Sequence, residues 1–452
     1  MYLHVGVPKT GTTFIQDVLW RRRQALATDG VCYPLQQRTE HFAATMDLRG
    51  ASWNGRRNSE WLGTWDRLAH VVLNSGAQRA VLSGELLAAA DEAAIQRAVT
   101  SFPGWEMHIV VTVRDLARQL VSEWQEQLKH RVSLPLTDFV AATLAAQPAD
   151  TRSHRLGRAF WQLHDLPTVL GRWGSAVPID RVHLVTVPPS GAAGESLWDR
   201  FAAVVGIDPA HGTLPQARAN TALRVVEAEL LRRANAAGLD RLDAQHYDRV
   251  VRVLLAEKVL AGRPGRPLVL PAEFAAAVHD AAGRQVHALA ASGYHVAGDL
   301  QELAPDLTAL ESAPSITPTH EELAAAGSRA VSAFAAELGP LQRRLRARVG
   351  TAAGPDRPGA DDPLAAEALG RAENLSTRAV AAATAAASKQ TAVDISVQAL
   401  VELAGQAVAM RTAAGVGVEP VEPGAPTGVA AVAKVRRLVG ERWRSARTRR
   451  RG

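Results

Sequence analysis

Cysteine and long apolar runs are scarce in this 452-residue chain. The single cysteine, Cys32, excludes an intramolecular disulfide framework and a zinc site built from cysteine ligands. No stretch approaches the roughly 20 apolar residues that a membrane-spanning helix needs. A strand-like segment, residues 2–5, directly follows Met1, where a secretory leader would have a charged region and an apolar core. We therefore expect a cytoplasmic protein.

The chain also lacks a large excess of positive or negative charge, except near the C-terminus. The chain has 51 Lys+Arg and 45 Asp+Glu, a net charge of +6. Residues 433–452 hold nine basic side chains and one acid, a net of +8, so residues 1–432 carry 6 − 8 = −2. A nearly neutral body argues against an enzyme with a basic DNA-binding face, and we expect no nucleic-acid partner. The basic tail fits either a solvated, disordered segment or one that docks on an anionic membrane surface, peripherally at the inner face.

Aromatic residues mark the main boundary along the chain. Of 22 Phe, Trp and Tyr, twenty precede Pro305, and only Phe334 and Trp443 follow it. Because compact cores rely on aromatic burial, residues 305–452 are not expected to build a large core of their own. The predicted division is a folded domain at 1–304, an Ala-rich helical extension at 305–410, a linker at 411–432 and the basic tail at 433–452.

The first three hundred residues alternate short apolar runs with longer helical patterns. Candidate strands are residues 2–7, 31–33, 79–83, 108–113 and 181–187. This alternation predicts an α/β fold in which helices cover both faces of a parallel sheet, giving three layers.

The chain after the predicted domain has a helical pattern of a different kind. Apolar residues within 319–349 recur at spacings of three, four or seven, which predicts an amphipathic helix or a coiled coil that joins chains into a homo-oligomer. The remaining Ala-rich extension lacks bulky apolar residues, so we expect it to be helical and partly disordered.

A phosphate-binding loop is the most informative local pattern. After the first strand, the chain reads Pro8-Lys9-Thr10-Gly11-Thr12-Thr13-Phe14, a glycine-containing turn that opens a helix. Such a turn directs backbone N–H groups and the helix dipole at one point, which favours a phosphate or sulfate. Gly6 and Gly11 have the spacing of a Walker A loop, but Thr12 occupies the position of its lysine. The lysine of this loop is Lys9 instead.

A second pattern follows the strand at 108–113. This strand ends in Arg114, and Ser122 lies eight residues further on, about two turns along the predicted helix. Arg114 leaves the carboxyl edge of the sheet, where open α/β sheets bind ligands, and Ser122 could present its hydroxyl to the same group. The alternative is a solvated arginine at a helix start and a serine that faces water.

Together the two patterns resemble the sulfotransferases that use 3′-phosphoadenosine 5′-phosphosulfate (PAPS). Their phosphosulfate loop reads Pro-Lys-Ser/Thr-Gly-Thr-Thr, which residues 8–13 match at every position. The family binds the 3′-phosphate of PAPS with an Arg at the end of a later strand and a Ser eight residues beyond it. The resemblance covers about residues 1–300, with specific motifs only in residues 1–122, and the family's late Arg-Lys-Gly segment is absent. It implies a P-loop-like fold, PAPS as co-substrate, transfer of its sulfuryl group to an acceptor hydroxyl, and no metal.

The resemblance also implies a set of donor-binding residues. Lys9 would neutralise charge at the leaving group, and Phe14 would stack on adenine, although a core position suits it equally. A further pair, Arg218 and Asn220, would contact the 3′-phosphate or adenine, although helix capping explains Asn220 as well. The predicted donor site is Pro8, Lys9, Thr10, Gly11, Thr12, Thr13, Phe14, Arg114, Ser122, Arg218 and Asn220.

Two residues are candidates for the general base. Glu85 follows the strand at 79–83, so it should emerge beside the loop and Arg114, and a carboxylate there can accept a proton if its pKa rises toward neutrality. A glutamate at this strand end resembles the enzymes that sulfate heparan-type glycans, which implies a carbohydrate or glycoconjugate acceptor. Glu85 could instead merely begin a helix. His41, within Thr39-Glu40-His41-Phe42, is the second candidate.

Other functions remain open at this point. Ser122, Gln125, Glu126 and Lys129 share one helical face, which we interpret as solvated in preference to lining the acceptor site. The rival enzyme is a P-loop nucleotide kinase, against which the displaced lysine argues. The rival from another class is an inactive nucleotide-binding domain that serves as a helical scaffold or membrane tether.

Overall fold

A parallel β-sheet forms the centre of the protein in the computed structural model, which describes residues 1–52, 58–146, 155–189, 191–213, 222–351, 375, 378–379, 381–386 and 388–413. Six strands pair in parallel in these residues, in the order β2-β3-β1-β4-β5-β6. The strands are β1 (Tyr2–His4), β2 (Val31–Cys32), β3 (Arg79–Ser83), β4 (His108–Val113), β5 (Val182–Thr186) and β6 (His295–Ala297).

The sheet confirms the predicted α/β class. All five predicted strands are present, and β6 is an additional strand that the sequence pattern did not predict. Strand β4 is buried at five consecutive residues, 109–113, so side chains on both of its faces are covered, as is typical of parallel sheets packed between helices. Strand β1 pairs with β3 and with β4, and its Tyr2 lies opposite Val81 of β3 and opposite His108 of β4.

Helices connect the strands and extend the chain beyond the sheet. The first group is α1 (Thr12–Thr28), α2 (Glu40–Leu48), α3 (Thr64–Leu73), α4 (Glu92–Thr100), α5 (Leu116–Lys129), α6 (Leu136–Leu144), α7 (Arg155–His164), α8 (Leu166–Gly174) and α9 (Leu197–Val205). The second group is α10 (Val225–Ala237), α11 (Ala244–His246), the π-helix Tyr247–Leu260, α12 (Ala275–Ala290), α13 (Leu307–Glu311), α14 (His320–Thr351) and α15 (Lys389–Ala413). Short 3₁₀ helices are Ser59–Trp61, Glu85–Ala89, Ile179–Arg181, Pro209–Gly212, Leu239–Arg241, Ala272–Phe274 and Leu300–Leu303.

The apolar side chains form two main cores. One core surrounds the sheet, and the other joins one face of α5 to α10, the π-helix, α14 and α15. Leu120 and Leu128 of α5 belong to this second core together with Phe334 and Leu400. Side chains on both sides of the predicted boundary at residue 304 therefore share one core.

Helix α14 confirms the helix predicted at 319–349. Its seam residues Leu323, Phe334, Leu338 and Leu345 are buried inside the chain, where α14 packs against α15 and α10. This packing supplies an intramolecular partner for the apolar seam, and a coiled coil between chains stays a prediction.

Helix α15 corrects the expectation that no segment is apolar enough to span a membrane. By length and composition alone α15 could span a membrane, although half of its apolar 18-residue stretch is buried inside the chain. Its exposed positions include Thr391, Asp394, Gln398 and Glu402, which recur every three or four residues. A polar stripe therefore faces outward. The linker from 414 onward and the basic tail lie outside the described residues.

Candidate functional site

Three neighbouring strands deliver the predicted site residues to one edge of the sheet. Strand β1 lies between β3 and β4. Strands β2 and β3 therefore lie on one side of β1, and strands β4 to β6 lie on the other side. Ligands of open α/β sheets bind at such a switch point, beyond the carboxyl ends of the strands. The loop at residues 5–11 follows β1, Glu85 follows β3, and Arg114 follows β4.

The loop begins earlier than predicted, because β1 ends at His4 and not at residue 7. Three of its residues have left-handed backbone conformations: Gly6 (φ 105°), Lys9 (φ 65°) and Gly11 (φ 84°). A side chain at Gly6 would meet the carbonyl oxygen of Glu85 at 2.7 Å, so only glycine allows the loop to approach the end of β3 this closely. Such a conformation is unusual at a lysine and needs support from its surroundings.

Below the loop lies a network of neutral polar side chains that we call the floor: His4, Thr10, Gln16, Ser83 and Thr112. The His4 ring bonds through Nδ1 to Ser83 Oγ at 2.8 Å and through Nε2 to Thr112 Oγ1 at 3.0 Å. The hydroxyl of Thr10 lies 2.6 Å from that of Thr112 and donates to the Val7 carbonyl. Burial lowers the pKa of His4 to about 3, so the ring is neutral at physiological pH.

The floor also decides which loop hydroxyls remain for a ligand. Thr10 is fully buried and its hydroxyl is bonded within the floor, which leaves its backbone N–H as the group that could contact a ligand. Thr13 stays half-buried at the start of α1. Among the described residues, the N-terminus of α1 has no side-chain cap and no acid in its first turn, which keeps the helix end suited to an anion.

Ionisable side chains surround the other side of the loop, which we call the mouth: Lys9, Glu85, Arg114 and Glu126. Lys9 Nζ lies 2.7 Å from Glu126 Oε2. Burial opposes the charge of Lys9, but Glu126, and then Glu85 and Glu123, outweigh it and raise the pKa of Lys9. Burial likewise opposes the charge of Glu126, but Lys9 and Lys129 hold the pKa of this carboxyl well below its usual value.

Glu85 has the features required of a general base. It begins the 3₁₀ helix Glu85–Ala89, as the alternative interpretation expected, yet its buried carboxyl also accepts a hydrogen bond from the Thr12 hydroxyl. Burial, opposed by Thr12 and Lys9, raises the pKa of Glu85 to about 8. Oε1 of Glu85 is buried without a hydrogen-bond partner among the described residues. This oxygen therefore keeps a free acceptor position within the described part of the chain.

Arg114 and Ser122 meet, as their spacing predicts. One guanidinium nitrogen of Arg114 donates to Ser122 Oγ at 3.2 Å and to the carbonyl of Lys9 at 3.3 Å. Burial, reinforced by Arg118, lowers the pKa of Arg114 to about 10, so the group stays charged at neutral pH. Nε of Arg114 is buried and unpartnered within the described part of the chain.

Helix α5 holds the loop through a further residue, Gln119. Its side-chain nitrogen donates to the carbonyl of Pro8 and lies 3.0 Å from Nδ1 of His164. Because a carbonyl can only accept, the nitrogen of this amide must face Pro8, and His164 must accept at Nδ1 and carry its proton on Nε2. Gln119, His164 and Arg114 line a small cleft that is partly open to solvent.

The remaining predicted residues contribute less. His41 is buried in α2 with Nδ1 2.6 Å from the Arg38 carbonyl, and burial lowers its pKa to about 4. Phe14 is 43% exposed, which excludes the core position that was its alternative. Arg218 and Asn220 lie outside the described residues.

The solvated face predicted on α5 is wrong. Glu126 and Lys129 are 7% and 5% exposed, because α10, α12 and the π-helix pack around α5. The sequence pattern also gave no indication that His4, Thr112 and Gln119 belong to the site. The available signal was a polar residue within an apolar strand, at His4 and Thr112, since buried polar groups need partners.

No group of three or more His, Cys, Asp or Glu within the described ranges is placed to hold a metal ion. No protein family, no curated protein and no solved structure matches this chain.

Proposed function

We propose that the chain is a PAPS-dependent sulfotransferase. The observation that carries the proposal is the contact of Arg114 with both Ser122 and the carbonyl of Lys9. It brings together the two sequence patterns, which lie about a hundred residues apart, and so supports a single site that would hold both phosphates of the donor. The unpartnered Nε of Arg114 fits a further acceptor oxygen of a ligand.

The residues of the mouth have distinct roles in this proposal. The N-terminus of α1 and the loop N–H groups would bind the 5′-phosphosulfate, and Arg114 with Ser122 the 3′-phosphate. PAPS supplies an activated sulfuryl group. Lys9 would neutralise charge on the leaving phosphate, since charge stabilisation dominates in the related phosphoryl transfers.

Glu85 would take the proton of the acceptor. With a pKa of about 8, the carboxylate is a stronger base than an ordinary glutamate, although only a minor fraction is ionised at pH 7. Below its pKa the group is neutral, so it does not repel an anionic donor. A hydroxyl on a carbohydrate or glycoconjugate remains our preferred acceptor, by the resemblance of Glu85 to the base of glycan sulfotransferases.

Thermal unfolding with three ligands tests the proposal. Adenosine 3′,5′-bisphosphate at about 100 times its Kd should stabilise the protein by roughly 2.7 kcal/mol. Adenosine 5′-monophosphate, which lacks the 3′-phosphate, should stabilise it much less. Stronger stabilisation by ATP with Mg²⁺ would favour the kinase, and no effect of any nucleotide would favour the scaffold.

A variant assigns the 3′-phosphate to its predicted partner. Arg114→Ala should weaken the bisphosphate about 30-fold, which corresponds to about 2 kcal/mol, and leave the monophosphate unchanged. Arg181→Ala is the matched control, because Arg181 pairs with the exposed Glu106 at the opposite edge of the sheet. Equal losses for both nucleotides would contradict the assignment.

A further inference from the structure

The only lysine of the loop is already neutralised by a carboxylate of the same chain. Lys9 Nζ lies 2.7 Å from Glu126 Oε2, and the two side chains are 22% and 9% exposed. Lys129 Nζ approaches the same oxygen at 3.8 Å, and His130 Nε2 lies 3.4 Å from the other oxygen of Glu126. An acidic group is unexpected at a loop suited to anions, because it opposes the binding of negative charge.

The protein holds this ion pair in place from both sides. The main chain around Lys9 is fastened to α5 by Gln119, which donates to the carbonyl of Pro8, and to the end of β4 by Arg114, which donates to the carbonyl of Lys9. On α5, Glu126 lies one helical turn after Ser122, so the hydroxyl and the carboxylate share a face. A ligand that reaches from the loop toward Ser122 therefore passes the Lys9–Glu126 pair.

The pair affects ligands of different size differently. At the loop, inorganic sulfate or phosphate must compete with Glu126 for Lys9. A donor with a second phosphate also gains contacts to Arg114 and Ser122, which compensate for the competition. We propose that Glu126 is a specificity-determining residue, an internal counter-ion of Lys9 that makes the loop reject small inorganic anions and accept larger ligands that also engage Arg114. The identity of the larger ligand rests on the proposed function, whereas the rejection of small anions does not.

Isothermal titration with sodium sulfate and sodium phosphate, at constant ionic strength, tests the inference. Glu126→Gln keeps the shape of the side chain and removes its charge. We expect its affinity for both anions to rise at least about tenfold over that of the unmodified chain. Adenosine 3′,5′-bisphosphate should gain less, so its preference over sulfate should fall.

Glu123→Gln is the matched control. Glu123 is buried on the same helix but bonds to Gln127 at 2.7 Å and lies near His164. Its substitution removes the same charge one turn away and should change sulfate affinity less than about threefold, because only the direct pair competes for Lys9. An equal gain in both variants would mean that net charge alone governs the site and would overturn the inference.

A second variant guards against loss of folding in Glu126→Gln, which leaves Lys129 and His130 without this carboxylate. Glu126→Asp keeps the charge near them and retracts it from Lys9, so it should give a smaller gain in the same direction. The inference is overturned if neither variant gains affinity for sulfate, even if the bisphosphate binds normally. If the bisphosphate fails to bind while Glu126→Gln gains sulfate, the proposed function is wrong and the inference stands.

Discussion

The two sides of the loop, the floor and the mouth, differ in how completely their buried polar atoms are hydrogen-bonded. In the floor, both ring nitrogens of His4 are bonded, and the hydroxyls of Thr10 and Thr112 bond to each other. In the mouth the side chains are ionisable, and Glu85 Oε1 and Arg114 Nε have no partner among the described residues. Buried polar groups that are satisfied stabilise one conformation, whereas unsatisfied ones carry a cost that a ligand can remove.

The pKa values of the two regions express the same difference. Burial alone holds the pKa of His4 at about 3, far from neutrality, so the floor keeps one protonation state. Burial raises the pKa of Glu85 to about 8, so the mouth changes charge close to physiological pH. Substitutions in the mouth should therefore change binding and pH dependence, and substitutions in the floor should change stability.

The largest expected effect is that of Glu85→Gln on turnover. If Glu85 is the base, kcat/KM for release of adenosine 3′,5′-bisphosphate from PAPS, measured with a panel of glycan acceptors, should fall about 100-fold or more. Because only the ionised form accepts a proton, activity of the unmodified chain should rise about tenfold per pH unit up to about 8 and then level off.

The pH profile also separates Glu85 from His41. Burial lowers the pKa of His41 to about 4, so a profile controlled by His41 would level off near that value and stay flat at neutral pH. Full activity in Glu85→Gln, together with loss of activity in His41→Ala, would assign the base to His41 and remove Glu85 from the mechanism.

The next effect is on stability and belongs to the floor. His4→Ala removes two buried hydrogen bonds and leaves a cavity between β1, β3 and β4, so the free energy of unfolding should fall by about 3 kcal/mol. Denaturant unfolding measures it. His108→Ala is the control, because His108 is only half-buried at the start of β4, and its loss should be below about 1 kcal/mol. Equal losses would mean that the floor adds no special stability.

Sequence patterns predicted the mouth better than the floor. Lys9, Arg114 and Ser122 stand at motif spacings, and the ends of adjacent parallel strands meet at one edge of the sheet, so short-range rules suffice. The floor depends on pairing between strands about eighty to a hundred residues apart, such as His4 with Ser83 and Thr112. Periodicity predicts that such residues are buried but not which partners they meet.

The solvated interpretation of Glu126 was wrong for a related reason. A run of polar residues on one helical face is usually exposed, but α10 and the π-helix arrive from about a hundred residues further along the chain and cover α5. Strand β6 was missed because its three residues, His295–Ala297, are too few to show an alternating pattern. In both cases tertiary contacts override the local signal.

The smallest expected effect is that of Thr12→Val, at the start of α1, on the pH dependence of turnover. The Thr12 hydroxyl donates to Glu85 and stabilises its ionised form, so it partly offsets the increase in pKa caused by burial. Thr12→Val keeps the side-chain shape but removes the donor, and the pKa of Glu85 should rise further. A hydrogen bond worth about 1 kcal/mol corresponds to roughly 0.7 pH unit, so the acid limb of the turnover profile should move upward by that amount. Thr13→Val, one residue along, should leave the limb in place. An unmoved or lowered limb in Thr12→Val would mean that this contact does not control the charge of Glu85, and that the mouth sets it through burial and Lys9 alone.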